Sequence, residues 1–171
     1  YVKYVNQNND NTIDGNDRVI AGNTIPRFAY GFNLNFGWKG FAVEAQFQGV
    51  GDVSVYPSSN MAFGLYNGAG LTKQWVRDSW SATNRNTEYP LLTTYPEAGE
   101  NFQNSTLWLQ DASYLRLKNI QLSYTFPKQL VGRIGIKGLQ VYVSGQNLVT
   151  FSDFKIWDPE ISISQVNLFS Y

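Results

Sequence analysis

Between Asn6 and Asp17 the segment NQNNDNTIDGND puts oxygen-bearing side chains at Asn6, Asn8, Asp10, Thr12, Asp14 and Asp17. That is the spacing of a cation loop. Twelve-residue calcium loops take oxygens from positions 1, 3, 5, 7 and 9 and a carboxylate from position 12. Counted from Asn6, every position is filled, the seventh through the Thr12 carbonyl. Two residues depart from the pattern. Asn6 takes the place of a carboxylate, and Asn11 takes the place of the glycine at the sharp turn. Asn is the next most tolerant residue of left-handed backbone, so the turn survives. The spacing therefore predicts a calcium staple, against an Asn-rich turn held by its own hydrogen bonds. No helical pattern flanks the loop, so a switch that moves two helices is not expected.

Little other site chemistry is on offer. The chain has 171 residues, no Cys and no His. Thiol chemistry, a Ser-His-Asp triad and most transition-metal sites are excluded, and no enzyme is expected. Glu88, Glu97 and Glu100 lie in an irregular polar stretch and are not spaced as an acid-base pair. GVGDVS, Gly49 to Ser54, lacks the third glycine and following helix of a nucleotide turn. Thirteen basic residues balance thirteen acidic ones, and no basic stripe points to nucleic acid.

The elements that must position these residues are strands. In FAYGFNLNF, Phe28, Tyr30, Phe32, Leu34 and Phe36 fall on one face; Ala29, Gly31, Asn33 and Asn35 fall on the other. GWKG, Gly37 to Gly40, reads as a tight turn. In FAVEAQFQG, Phe41, Val43, Ala45 and Phe47 then oppose Glu44, Gln46 and Gln48. KNIQLSYTF repeats the pattern through Ile120, Leu122, Tyr124 and Phe126, and LQVYVSGQNLVTF, Leu139 to Phe151, is the last clear strand. Pro57 to Thr106 is a long loop, in which Leu71 to Trp80 has helical spacing. PKQLVGRIGIKG, Pro127 to Gly138, is a compact connection. The order is thus all-β: strand, short turn, strand, long loop, strand, short turn, strand. Such alternation suits a soluble sandwich, but also a membrane barrel with short turns on one side and long loops on the other.

Three stretches go further. They are DASYLRLKNIQLSYTFP (Asp111 to Pro127), GLQVYVSGQNLVTF with WDPEI (Gly138 to Ile161), and IAGNTIPRFAYGFNLNFGWKGFAVEAQFQGVGD (Ile20 to Asp52). In this order they resemble the C-terminal part of the SusC/RagA family of TonB-linked outer-membrane proteins. The resemblance implies a 22-stranded transmembrane β-barrel with an N-terminal plug, importing glycans or peptides. A SusD-like surface lipoprotein caps it, and TonB drives it from the periplasm. Residues 1–171 are then expected to be a C-terminal part of the barrel domain, without plug, TonB box or final strand.

With GWKG as a periplasmic turn, Phe28 to Phe36 runs inward and Pro57 to Thr106 lies outside the cell. The loop aromatics Tyr66, Trp75, Trp80, Tyr89 and Tyr95 become candidates for contact with the lid or cargo, against simple packing onto the rim. On the barrel reading Phe28, Phe32, Phe36 and Phe41 meet outer-membrane lipid. The competing expectation is a secreted, calcium-stabilised β-sandwich that binds carbohydrate, in which those same residues are buried.

Overall fold

The computed structural model describes residues 2–57, 62–68, 70–94, 99–154 and 156–160. They fall into two units. One comprises Tyr1–Gly22 with Val55–Gln110, and the other Asn23–Ser54 with Asp111–Ile161.

The second unit is a four-stranded antiparallel sheet. Its strands are β1 (Phe28–Trp38), β2 (Phe41–Gly51), β5 (Tyr114–Thr125) and β6 (Gln140–Ser152), in the order β1-β2-β5-β6. A short second ladder joins β3 (Ser54–Val55) to β4 (Gln110–Asp111). The first turn is tighter than GWKG suggests. Trp38 pairs with Phe41, and only Lys39 and Gly40 turn the chain. Both have positive φ, 47° and 92°. Two consecutive left-handed residues make the turn whose twist matches that of the flanking strands. Gly40 is also cramped: a Cβ there would stand 2.8 Å from the Thr125 carbonyl oxygen. The second connection holds a one-turn helix, α2 (Lys128–Val131), and a 3₁₀ turn ending at Gly135, whose φ is 77°. The Phe126 amide donates to the Leu139 carbonyl at 2.9 Å and closes it.

Cross-strand register sorts the side chains into two faces. Trp38, Phe41, Tyr124 and Val141 form one row, and Phe36, Val43, Leu122 and Val143 the next. On the other face the rows are Asn35, Glu44, Gln121 and Ser144, then Asn33, Gln46, Asn119 and Gln146. One face is apolar from edge to edge and the other is a polar carpet.

The alternation expected for Ile120 to Phe126 holds, but upstream of Asn119 its phase changes. Leu115 and Leu117 stand on the apolar face with Ile120 and Leu122, although the two pairs are offset by an odd number of positions. A bulge reconciles them. Lys118 is the extra residue, because Gln46 pairs with Asn119 while Phe47 pairs with Leu117. At the same level β6 sets Asn147 and Leu148 opposite Lys118, with Asn147 at φ 52°. Leu148 lies over Gly145, where a Cβ would meet its Cδ1 at 2.8 Å. Bulges of this kind re-aim side chains without breaking a sheet.

The first unit is built from loop. It holds α1 (Lys73–Asp78), shorter than the Leu71 to Trp80 span that spacing predicts. Thr72 caps α1 by accepting from the Trp75 amide at 3.3 Å. The unit has its own aromatic core of Tyr56, Phe63, Trp75 and Trp108, with Tyr66, Tyr89 and Phe102 packed against it. Burial pushes the Tyr56 hydroxyl pKa up to about 12. The described part of the stretch expected to be irregular is thus packed around an aromatic core.

Candidate functional site

The sheet's apolar face is open. Phe28, Tyr30, Phe32 and Leu34 of β1 are all exposed, Phe36 to 68% and Trp38 to 60%. Leu122, Val141, Val143, Val149 and Phe151 continue the exposed face across β5 and β6. Fully burying one large apolar side chain is worth about 1.5–3 kcal/mol, so half-exposed rows of this size forgo on the order of 10 kcal/mol in water. A contiguous apolar surface of that extent marks contact with something apolar. A sandwich would cover these residues, and none of the described residues does so.

The face is also ordered along the strands. Its turn end carries aromatic rings: Phe41 and Tyr124 have centroids 4.5 Å apart, Tyr124 and Phe126 4.8 Å, and Lys39 lies 5.0 Å over the Trp38 ring. Farther along, Phe32 stacks on Phe47 at 4.8 Å. Tyr30 lies across Gly49, where a Cβ would come within 2.5 Å of its ring, and its hydroxyl donates to the Tyr114 carbonyl at 3.0 Å. Gly49 is there so that Tyr30 can lie flat. Aromatic girdles at the ends of an apolar band are a mark of membrane-spanning barrels.

On the polar face the two motifs SYLRLKN and DPE meet. Arg116, 7% exposed, donates from Nη1 to Glu160 Oε2 at 2.7 Å and from Nη2 to Asp158. Lys118 donates to the other Glu160 oxygen. The Glu160 amide donates to Asp158 Oδ1 at 2.9 Å, which tightens the turn. The Arg116 guanidinium holds the Asp158 carboxyl below its ordinary range. Arg116 also stands 5.6 Å over the Tyr114 ring. The bulge is what makes this cluster possible. With one extra residue, Arg116 and Lys118 both reach the segment after β6 while Asn119 and Gln121 keep their polar rows. The two motifs lie 42 residues apart in sequence, and neither points to the other. The signal was legible as the break in alternation between Leu117 and Ile120.

The segment Asn6 to Asp17 closes on itself. Asn6 accepts from the Asn9 amide at 2.6 Å, Asn8 from the Asp10 amide at 3.1 Å, and Asp10 from the Thr12 amide at 2.8 Å. Asp17 accepts from the Gln7 and Asp14 amides at 2.6 and 2.8 Å, and these backbone donors, Asp14 foremost, hold its carboxyl below the usual range. Asn9 and Asn11 have φ of 61° and 67°, the left-handed backbone expected for Asn11. Asp14 caps a 3₁₀ turn, Gly15–Asp17. Among the described residues no group of three or more Asp or Glu side chains stands where it could hold a metal ion.

The five loop aromatics separate. Trp75 is enclosed, 2% exposed, and donates to the Ala62 carbonyl at 2.8 Å; it stacks on Trp108 with centroids 5.7 Å apart. Tyr66 and Tyr89 are half-buried against the same core. Trp80 alone of the four described is open, 41% exposed, beside a hollow of 470 Å³ walled by Tyr89, Pro90, Leu91 and Leu107. Tyr95 lies outside the described residues, as does Glu97.

Comparison with known proteins follows the same lines. No family model matches the chain. "TonB-dependent receptor P3" of Formosa agariphila is 34% identical over 163 residues, 91% of this chain and 15% of that protein. "TonB-dependent receptor P26" of the same organism is 31% identical over 159 residues, 92% of this chain and 16% of that protein. Among solved structures, the RagAB peptide importer in the "open-open" state matches with a TM-score of 0.63 at 30% identity, over 82% of this chain and 15% of that one. A RagAB peptide transporter structure matches with a TM-score of 0.66 at 28% identity, over 86% of this chain and 16% of that one. The chain spans about 15% of the length of the relatives it matches. No helix among the described residues is long and apolar enough to cross a membrane, which says nothing about strands.

Proposed function

Because the chain belongs to the SusC/RagA-like TonB-dependent receptors, we propose that it forms part of the wall and outer loops of an outer-membrane β-barrel. The barrel imports oligomeric nutrients, glycan or peptide, in TonB-dependent fashion. The observation that carries this is the two-faced sheet: an apolar face open from β1 to β6, backed by rows of Asn, Gln, Ser and Glu. Lipid on one side and an aqueous lumen on the other is the surrounding that satisfies both faces. Among the described residues β1 and β6 each have one neighbour strand, so each leaves an edge of backbone groups. In lipid those groups need partners, and neighbouring strands of a 22-stranded barrel would supply them.

A SusD-like surface lipoprotein is the proposed partner, with Trp80 in its contact surface. Cells carrying or lacking the complete protein, with TonB intact or disabled, should be offered labelled oligosaccharides and oligopeptides. Uptake of one class that needs both the protein and TonB is expected. Equal uptake in all strains would remove the proposal. Calcium at Asn6, Asn8, Asp10, Thr12, Asp14 and Asp17 is carried forward as part of it, supported by the oxygen spacing and by left-handed Asn9 and Asn11. The expected outcome is slower proteolysis of this segment with calcium than with a chelator. Identical rates would leave the hydrogen bonds alone as its staple.

A further inference from the structure

We infer that the turn end of the sheet is a binding site for an anionic phospholipid of the periplasmic leaflet. Its phosphate would be met by Lys39, Lys128, Arg133 and Lys137, and one acyl chain would lie in a groove on the apolar face. The inference rests on the barrel reading above and deepens it by assigning a lipid class and a position.

The charge pattern is one-sided. The two connections at this end, residues 37–40 and 126–139, contain these four cations and no Asp or Glu. All four are exposed, and none is in an ion pair among the described residues. Both connections lie at one end of the sheet, since the Thr125 amide donates to the Gly40 carbonyl at 2.8 Å. Mixed with the cations are apolar side chains that are also open: Leu130, Ile134 and Ile136. A cationic surface studded with exposed apolar groups fits the boundary between headgroups and acyl chains.

The groove supplies the second half of the argument. A hollow of 260 Å³ lies beside Phe41, Leu122, Tyr124, Val141 and Val143 of the apolar face, with Ser123 and Tyr142 between them also lining it. Phe41, Tyr124 and Val141 form one cross-strand row, next to the turn that carries Lys39. Its walls are mostly hydrocarbon and aromatic. Charge complementarity decides the headgroup: four unbalanced cations favour a phosphodiester with net negative charge over a zwitterion. Each cation removed should weaken retention about fivefold.

The complete protein, purified in detergent, should be exchanged with phosphatidylglycerol, phosphatidylcholine or lipid A, and bound lipid counted by native mass spectrometry. Preferential retention of phosphatidylglycerol is expected, lost stepwise in K128Q, K128Q/R133Q and K128Q/R133Q/K137Q. These exposed substitutions should leave heat-modifiable migration on gels unchanged. A bulky Val143→Trp in the groove should reduce retention without altering charge. Equal retention of zwitterionic lipid, tighter lipid A binding, or no effect of the triple variant would overturn the inference. A cysteine at Gln129 tests the orientation separately. Labelling by an impermeant reagent in intact cells would place this end outside and defeat the periplasmic assignment, whereas lost lipid preference with a protected Gln129 cysteine would defeat the lipid site alone and leave import standing.

Discussion

Arg116 is the residue on which two separated motifs converge. Its guanidinium is enclosed while its partners are partly open: Asp158 is 50% and Glu160 34% exposed. Removing one member of a buried pair costs about 3–5 kcal/mol, and exposed pairs are worth far less. Arg116→Ala is therefore expected to cost about 1–3 kcal/mol, concentrated in residues 153–160. Faster hydrogen exchange of those amides, with the strand amides of 119–125 unchanged, is the reading that checks it. The sign of the pH effect follows from Asp158. Its folded pKa is lowered from the ordinary 3.8, mainly by the hydrogen bond from Arg116. The stabilisation is then fully present above 3.8 and is lost as pH falls through the depressed folded value. Exchange in 153–160 should be flat, after intrinsic-rate correction, from neutral pH down to about 4 and rise below it. A rise already at pH 6 would mean another group controls the segment. Sequence alone offered both motifs but no distance, and 42 residues separate Arg116 from Asp158.

At the scale of elements, strands are legible because one apolar and one polar face give each strand a period of two. Phe28 to Phe36 and Phe41 to Gly49 fell where alternation put them, each extended by two residues to β1 and β2. The bulge at Lys118 is hidden because alternation is regular from Asn119 onward and breaks only before it. The loop was the larger surprise. Its core pairs Phe63, Trp75 and Trp108 across gaps that no local period encodes. Only the four-residue spacings of Leu71 to Trp75 and of Val76 to Trp80 announce α1. The structure divides the work of two tryptophans that look alike in sequence. Trp75→Ala should cost about 3–5 kcal/mol and open the loop to protease. Trp80→Ala should leave the loop resistant and weaken capture of the surface lipoprotein in a pull-down. A protease-sensitive Trp80 variant would assign that residue to packing.

At the scale of the whole molecule, the sheet makes sense only with its surroundings. A soluble domain hides its apolar face, whereas here both faces are open and opposite in chemistry. A mean hydropathy of −0.31 does not disguise the two-faced sheet, because half of each strand is polar. Family membership was legible from SYLRLKN, GQNL and DPE taken together. The physical reason lies in the bulge and the ion-paired segment those residues build. Cargo was not legible, because the polar rows of Asn and Gln would suit a glycan or a peptide backbone alike. The most direct test is to place a nitroxide label at each position from 30 to 36 of the complete protein in lipid bilayers. Collision with oxygen should peak at Tyr30, Phe32, Leu34 and Phe36, and collision with a water-soluble nickel reagent at Gly31, Asn33 and Asn35. Low collision with both reagents at the even positions would describe a buried core and contradict the barrel.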